Sequence, residues 1–169
     1  MKTDLCNFCL KSGILCPKCQ AKVRSGKITQ TDLTIAKLLL ELENKYPPLQ
    51  DVYFHKAVEA NGVLALIVGK GDVAKMLSYG GKIMKTLSEK TGKAVRLLEH
   101  GGDYRKFLED LFMPLSILTI NTIWLPDGTT ETRVILKRRS RSRFPFNIEA
   151  LKEIARKVRG ITLRVEFAD

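Results

Sequence analysis

The chain has 169 residues, a formal net charge of +11 at pH 7 and 44% hydrophobic residues. This length suits one domain or two small ones with ordinary hydrophobic cores, and the excess of positive charge favours a polyanionic partner such as nucleic acid. No stretch reaches the roughly 18 uninterrupted apolar residues of a membrane span, and no apolar signal region precedes the first cysteine. The sequence therefore predicts a cytoplasmic protein without a membrane-spanning segment.

The four cysteines lie near the N-terminus as two C-x-x-C pairs: Cys6 with Cys9, and Cys16 with Cys19. Each pair makes a tight turn that directs both sulfurs to one point, so two pairs together can form a tetrahedral thiolate site. The spacing predicts a structural Zn²⁺ ion in a compact zinc ribbon or knuckle at residues 1–26. Disulfide bonds are the alternative, which a cytoplasmic location disfavours. The sequence leaves open whether the module only stabilises the fold or also presents Phe8 and its lysines to RNA or protein.

After the cysteines, the sequence predicts one long helix and a strand. Thr29 with Asp32 forms a capping-box signature, and apolar residues then recur at helical spacing up to Tyr46, where two prolines end the pattern. Residues 52–60 are typical of a strand. The Asn61-Gly62 pair that follows is a strong signal for a tight β-hairpin.

Residues 61–100 carry the most informative pattern in the chain. The apolar run 62–68 suits a buried strand, and Asp72 is suited to cap a short helix. Two glycines within residues 78–81 allow a tight turn, which a second amphipathic helix and a strand at 94–98 follow. A helix-turn-helix of this kind, held against a sheet with backbone amides and lysines at the turn, is suited to binding phosphate.

The second half of the chain repeats this plan in a weaker form. Its pattern predicts a helix and then two strands, at residues 103–113, 117–124 and 132–136. Asn147 is suited to cap a further helix that ends near Gly160, and the alternation along residues 163–167 predicts a half-buried strand. Trp124 is expected to lie in the core.

The order of helix, strand, strand, helix, turn, helix and strand resembles a type II KH domain of the kind found in the NusA family of transcription factors. The passage from residues 93–99 through residues 103–107 to Met113-Pro114 is similar to the connector between two KH units in NusA. The resemblance covers residues 52–167 and implies an α+β fold. It predicts a zinc module, a first KH-like α/β sandwich domain and a second, degenerate KH-like domain, at residues 1–26, 27–101 and 102–169.

The resemblance also implies a site for nucleic acid. In KH domains, a G-x-x-G loop between two helices holds the backbone of about four nucleotides. This loop falls on Ser78, Tyr79, Gly80 and Gly81, with Ser78 in place of the first glycine. Bases are expected on the apolar surface around Ile83 and the strand at 94–98. Three nearby lysines are expected to add positive charge: Lys70, Lys82 and Lys85.

The second copy has no G-x-x-G and instead carries a dense group of basic residues, here named the basic segment: Lys137, Arg138, Arg139, Arg141 and Arg143. Guanidinium groups form paired hydrogen bonds to phosphates. The basic segment is therefore expected to contact the nucleic-acid backbone and to carry little sequence information. The alternative is a solvated loop that adds only solubility.

No residue pattern predicts catalysis. The sequence lacks the motifs of a nucleophile elbow or a zinc protease, and His55 and His100 are too far apart in the chain to suggest shared chemistry. The resemblance implies a non-enzymatic protein that binds single-stranded RNA in transcription elongation or termination, without a small-molecule substrate. The alternative is an assembly or adaptor protein that docks on RNA polymerase or the ribosome with little affinity for free RNA. The sequence does not separate RNA from single-stranded DNA as the target.

Overall fold

The computed structural model describes residues 1–138 and 147–168, which form an α+β structure with two separate sheets. The predicted α+β class is therefore confirmed. The chain divides into two compact units, the first comprising Met1–Val58 with Leu64–Gly101 and the second Glu59–Val63 with the described part of Gly102–Asp169. In the described residues, no helix is both long enough and apolar enough to cross a membrane.

The first unit carries a four-stranded sheet in the order β1-β2-β3-β4, in which β1 runs parallel to β2. Its elements in chain order are β1 (Lys2–Thr3), α1 (Asn7–Ser12), α2 (Pro17–Arg24), α3 (Gln30–Glu43), β2 (Tyr53–Ala60), β3 (Val63–Val68), α4 (Asp72–Met76), α5 (Lys82–Thr91) and β4 (Ala94–Glu99). A short 3-10 helix lies at Pro47–Asp51, and a tight turn at Tyr79–Gly81 joins α4 to α5. The predicted long helix, hairpin and helix-turn-helix are present, whereas β1, α1 and α2 were not predicted.

Asp32 joins α3 to the first sheet. The predicted capping box is present, because the Asp32 amide donates to the Thr29 hydroxyl at 3.2 Å and the Thr29 amide donates to the Asp32 carboxylate at 2.9 Å. The same carboxylate, only 4% exposed, accepts a 2.7 Å hydrogen bond from the Ala57 amide and a 3.1 Å bond from Lys56 Nζ. One side chain therefore satisfies donors on both the helix and strand β2.

Replacing Asp32 with alanine is expected to lower the free energy of unfolding by about 2–4 kcal/mol. The change removes the cap of α3 and leaves the buried Ala57 amide without its acceptor. Urea denaturation followed by circular dichroism measures this loss. Thr34→Ala, at an exposed position of the same helix, is the matched control and should change stability by less than about 0.5 kcal/mol. An equally small effect at Asp32 would contradict its bridging role.

The second unit carries a three-stranded sheet in the order β5-β6-β7, with β5 antiparallel and β7 parallel to β6. Its elements are α6 (Tyr104–Phe112), β5 (Ile117–Trp124), β6 (Thr130–Lys137), α7 (Ile148–Arg159) and β7 (Leu163–Ala168). Asn147 caps α7 as predicted, accepting the Glu149 amide at 2.9 Å, and Gly160 ends the helix. The fully buried apolar side chains include Phe107, Leu111, Val134, Leu136, Leu151 and Ile154.

The expectation that Trp124 lies in the core is wrong, because its side chain is 75% exposed. Trp124 is the last residue of β5, an edge strand, and its cross-strand neighbour is the small, exposed Thr130. Apolar character predicts burial only where another element covers the side chain. The end of an edge strand offers no such cover among the described residues.

Candidate metal centre and nucleic-acid interface

The structure brings all four cysteines together. Their sulfur atoms lie within 4.8 Å of one another, and none of them is in a disulfide. Cys6 Sγ is 3.7 Å from Cys19 Sγ and 4.0 Å from Cys16 Sγ. Four sulfurs bound at about 2.3 Å to a tetrahedral Zn²⁺ ion lie about 3.8 Å apart. The predicted cluster is therefore confirmed as a candidate metal site, and its donor set and spacing fit zinc.

Each C-x-x-C pair lies at the start of a helix. Cys6 and Cys16 are the residues that precede α1 and α2, both with extended backbone, and the second cysteine of each pair lies on the first turn of its helix. Residues three apart share one face of a helix, so both sulfurs of a pair point the same way. The compact module predicted as a zinc ribbon or knuckle is built from two short helices, α1 and α2.

Hydrogen bonds to sulfur favour the ionised form of one cysteine in the cluster, Cys16. The Cys19 amide and thiol, both bonded to the Cys16 sulfur, lower the pKa of Cys16 to about 6. Cys6 shows the opposite shift, because its hydrogen bonds to Cys19 and Cys16 raise its pKa to about 12. The thiols therefore do not all ionise near neutral pH by themselves. A bound cation would compensate the charge of four thiolates and release their protons.

The cysteine cluster is part of the core of the first unit. Cys9 and Cys19 are 1% exposed and lie in one hydrophobic cluster with Met1, Leu5 and Ile28. In contrast, two large apolar side chains of the same segment face solvent: Phe8 is 76% exposed and Ile14 is 74% exposed. A metal held here would stabilise the first unit directly, while the segment also presents an apolar surface to solvent.

The turn between α4 and α5, here named the glycine turn (residues 78–81), has the tight backbone that the sequence predicts. Tyr79, Gly80 and Gly81 all have left-handed conformations, with φ of 59°, 64° and 80°. Gly81 is the residue that precedes the ten-residue helix α5. The Lys82 amide donates to the Tyr79 carbonyl, whereas the next amides of the helix have no partners within it and offer donors to an anion.

Two side chains of the glycine turn have definite contacts. The Ser78 hydroxyl donates to the Lys75 carbonyl at the end of α4, so Ser78 completes that helix. Tyr79 packs edge-on against Tyr46, with ring centroids 5.2 Å apart, and remains 47% exposed. The serine in place of the first glycine therefore has a structural role, and Tyr79 presents an aromatic surface beside the turn.

The expected base-binding surface is wrong at Ile83 and at the last residues of the predicted strand 94–98, whose first three residues are half-buried. Ile83 is completely buried, and Leu97 and Leu98 in β4 are 9% and 1% exposed. These side chains fill the core and cannot contact a base without unfolding. The exposed apolar residues beside the turn are Leu77, at 48%, and Tyr79.

Three lysines predicted to bind nucleic acid, Lys70, Lys82 and Lys85, are exposed. None of the ion pairs in the described ranges involves them, whereas the neighbouring Lys75 is paired with Asp72 at 3.0 Å. Lys82 and Lys85 are three residues apart on α5 and therefore share a face. Their positive charge is available to a ligand at the N-terminus of this helix.

The basic segment is described only at its start. Lys137 is exposed at the end of β6, and the Arg138 guanidinium lies 5.7 Å from the centre of the Phe167 ring. Arg139, Arg141 and Arg143 lie outside the described residues. Their role as phosphate contacts stays a prediction.

The first unit contains an aromatic stack that sequence reasoning missed. The His55 and His100 rings are 3.9 Å apart and nearly parallel at 10°, and the Tyr53 ring lies 4.4 Å from His55. Burial, reinforced by the neighbouring His100, lowers the pKa of His55. The alternation of Tyr53 and His55 along one strand was the available signal, but only the tertiary fold brings His100 beside them.

No protein-family model matches the chain. It is similar to two curated archaeal proteins, each named "Probable transcription termination protein NusA". The protein of Methanocaldococcus jannaschii is 37% identical over 62 residues, which cover 37% of this chain and 32% of the relative. The protein of Methanococcus vannielii is 23% identical over 104 residues, or 58% of each chain. The chain thus spans about a third to three fifths of the length of the curated relatives it matches.

One solved structure, titled "Crystal structure of APE1850", covers 76% of this chain and 96% of its own at 18% identity, with a TM-score of 0.49. This structural similarity is too low to support a conclusion about the chain. The sequence similarities do confirm the predicted resemblance: the chain is similar, over part of their length, to archaeal NusA proteins.

Proposed function

We propose that this chain is a non-enzymatic, cytoplasmic protein that binds single-stranded RNA through a KH-like first unit and acts in transcription elongation or termination. The observation that carries the proposal is the glycine turn, whose left-handed residues lead into α5 beside two exposed lysines, Lys82 and Lys85, which form no ion pair within residues 1–138 and 147–168. Similarity to proteins named for transcription termination supports the general role.

The proposed grip uses backbone amides and lysines. A phosphate at the glycine turn would accept hydrogen bonds from the amides that follow Lys82 at the start of α5, where the helix dipole also favours negative charge. Lys82 and Lys85 would add attraction from the same helix face, and Lys70 from the loop before α4. The exposed Tyr79 ring would stack on a base, which replaces the contact expected at Ile83.

The proposed metal is a structural Zn²⁺ ion held by Cys6, Cys9, Cys16 and Cys19. Four thiolates leave no open coordination position, so the ion would stabilise the fold and would not act in catalysis. RNA polymerase is the proposed protein partner, because RNA at this step of transcription emerges from it.

A titration with a fluorescently labelled, single-stranded RNA of about 12 nucleotides tests the proposal. Fluorescence anisotropy should show saturable binding, and a DNA strand of the same sequence separates RNA from single-stranded DNA as the target. A duplex of the same length is expected to bind more weakly, because its bases are not available for stacking. Binding of the duplex as tightly as the single strand would contradict the KH-like mode.

The basic segment is expected to control the salt dependence of binding. Each phosphate contact on a single strand adds about 0.7 to the slope of log affinity against log salt concentration. Serine at all five basic positions should therefore reduce this slope by one or more. The control removes the same charge elsewhere, by serine at Arg24, Lys37, Arg105, Lys152 and Arg156. If the two variants have equal slopes, the basic segment is not a phosphate contact.

A second candidate function is an adaptor that docks on RNA polymerase or the ribosome. The exposed Phe8 and Ile14 on the cysteine segment favour it, because large apolar side chains on a surface often mark protein contacts. Affinity capture from RNase-treated lysate should then recover subunits of one of these assemblies. Loss of this capture in a Phe8→Ser, Ile14→Ser variant, without loss of RNA affinity, would assign docking to the segment.

A further inference from the structure

The Tyr79 ring of the glycine turn rests on a buried ring from a distant part of the sequence. Tyr46, which follows the end of α3, has its ring centre 5.2 Å from that of Tyr79, and the two ring planes are inclined at 63°. Aromatic pairs favour this edge-to-face arrangement. Tyr46 is 5% exposed and belongs to the hydrophobic cluster of the first unit, whereas Tyr79 is 47% exposed. The pair therefore joins a ring fixed in the core to a ring that solvent can reach.

The turn itself does not explain why a tyrosine occupies position 79. Tyr79 has φ of 59°, a conformation that bulky residues rarely adopt and that glycine adopts at lower cost. Residues held in such conformations are concentrated at functional sites. Packing on Tyr46 uses only part of the Tyr79 side chain, because the rest remains exposed. A tyrosine here therefore presents an aromatic surface that the fold supports but does not cover.

A lysine lies beside the same pair of rings. Lys45 Nζ is 5.6 Å from the centre of the Tyr46 ring, within the distance of roughly 6 Å at which a cation is attracted to an aromatic face. The Lys45 ammonium therefore lies no farther from the Tyr79 ring than this distance and the separation of the two rings added together. Lys45 is exposed, and none of the ion pairs within residues 1–138 and 147–168 includes it. The carboxylate of Glu43, two residues earlier, is bound to the Met1 amino group at 3.1 Å instead.

We infer that Tyr79, Tyr46 and Lys45 form one subsite for an unpaired nucleotide of RNA. The Tyr79 ring stacks on the base, the Lys45 ammonium binds a neighbouring phosphate, and Tyr46 positions the Tyr79 ring. A single strand presents aromatic bases beside a charged backbone, which matches an aromatic surface beside a cation. Every base has a π-face, so the subsite does not select a sequence. The inference rests on the proposed function and adds to it a phosphate contact, Lys45, that lies outside the glycine turn and α5.

Two labelled strands separate the base contact from the phosphate contact. One is a single-stranded RNA of about 12 nucleotides, and the other is an abasic analogue of the same length, which keeps the phosphates and lacks the bases. Both are titrated with the zinc-loaded full chain by fluorescence anisotropy. Tyr79→Ser should weaken binding of the base-bearing strand about fivefold or more and leave binding of the abasic strand unchanged. Equal losses on the two strands, or no loss on either, would overturn the stacking of Tyr79 on a base.

Lys45→Ser tests the phosphate contact through the salt dependence of binding. Loss of one phosphate contact should reduce the slope of log affinity against log salt concentration by about 0.7, and it should do so on both strands because both carry phosphates. Lys37→Ser, at an exposed position of α3, removes the same charge and is the matched control. Equal slopes in the two variants would exclude Lys45 from the subsite.

Tyr46 is a positioning residue in this subsite, and a double-mutant cycle tests that role. Tyr46→Leu removes the supporting ring and should weaken binding of the base-bearing strand about threefold, whereas Tyr46→Phe keeps the ring and should bind as the wild type does. Combined with Tyr79→Ser, Tyr46→Leu should cause no further loss, because it acts through the Tyr79 ring. A merely structural effect of leucine would persist in both backgrounds, so additive losses would overturn the positioning role.

The same titrations distinguish failure of the subsite from failure of the proposed function. A wild-type chain that binds neither strand would contradict RNA binding as a whole, and the subsite with it. Wild-type binding of the RNA strand, combined with an unchanged salt slope in Lys45→Ser and an unchanged affinity in Tyr79→Ser, would overturn the subsite alone.

Discussion

Replacing Cys19 with serine is expected to abolish stoichiometric binding of Zn²⁺ and to lower the melting temperature of the first unit by at least about 10 °C. The Cys19 side chain is 1% exposed within the same cluster as Cys9, Met1 and Leu5. Structural zinc contributes about 10–16 kcal/mol of apparent binding free energy in small zinc-dependent folds, which is comparable to the whole stability of a domain. About 1 kcal/mol corresponds to several degrees of melting temperature at this size.

Metal analysis of the purified chain and thermal unfolding, each with and without a chelator, measure both effects. The expected stoichiometry is one Zn²⁺ per chain, and the chelator should reproduce the variant's loss of stability. Phe8→Ser is the control, because Phe8 lies within the first C-x-x-C pair yet is 76% exposed. Wild-type stability in the chelator, or an equal loss in Phe8→Ser, would contradict the structural role of the metal.

Metal binding should also weaken as the pH falls, because protons compete for the thiolates. Hydrogen bonding raises the pKa of Cys6 to about 12 and lowers that of Cys16 to about 6. Zinc binding must therefore release a proton from Cys6 throughout the neutral range. Cys16 is already ionised there, so zinc binding releases a proton from Cys16 only as the pH approaches 6. Competition titrations with a zinc indicator at several pH values measure this release.

The double variant Gly81→Asp, Lys82→Asp is expected to weaken binding of single-stranded RNA at least tenfold, about 1.4 kcal/mol. Gly81 has φ of 80°, which aspartate adopts only with strain, and the two carboxylates repel a phosphate at the N-terminus of α5. Fluorescence anisotropy with the labelled RNA strand measures the loss. Circular dichroism at the assay temperature shows whether the fold is retained.

The chain contains a closely matched control for this variant. Gly26 also has a left-handed backbone, with φ of 78°, and is followed by a lysine, Lys27. Both residues are exposed. Gly26→Asp with Lys27→Asp therefore changes the net charge equally and introduces a similar strain far along the sequence from the glycine turn. Equal losses of affinity in the two variants would indicate a general effect of charge, and no loss in either would eliminate the glycine-turn mechanism.

Local sequence signals predicted much of the fold. The Thr29 and Asp32 capping box, the Asn61-Gly62 hairpin and the Asn147 cap each involve residues close in the chain, so their geometry depends little on the rest of the molecule. The cysteine cluster was predicted for the same reason, because the spacing within and between the two pairs limits where the sulfurs can lie.

The errors concern features that depend on tertiary contacts. Ile83 was placed at a base-binding surface because its helix carries an apolar face, but that face is the one that packs into the core. Trp124 was placed in the core because it is aromatic, but no described element covers the end of its strand. The stacking of His55 on His100 depends on how the strands are arranged, which spacing in the sequence does not reveal. Helices α1 and α2 are too short for a periodic apolar pattern.

The proposed function depends on the binding of single-stranded RNA at the glycine turn. Ultraviolet crosslinking of the zinc-loaded chain to a single-stranded RNA, followed by mass spectrometry of the crosslinked peptides, tests it most directly. We expect the dominant crosslinks to fall within residues 70–85 and to include Tyr79, and we expect them to disappear in the Gly81→Asp, Lys82→Asp variant. Crosslinks confined to other parts of the chain, or unchanged in that variant, would contradict it.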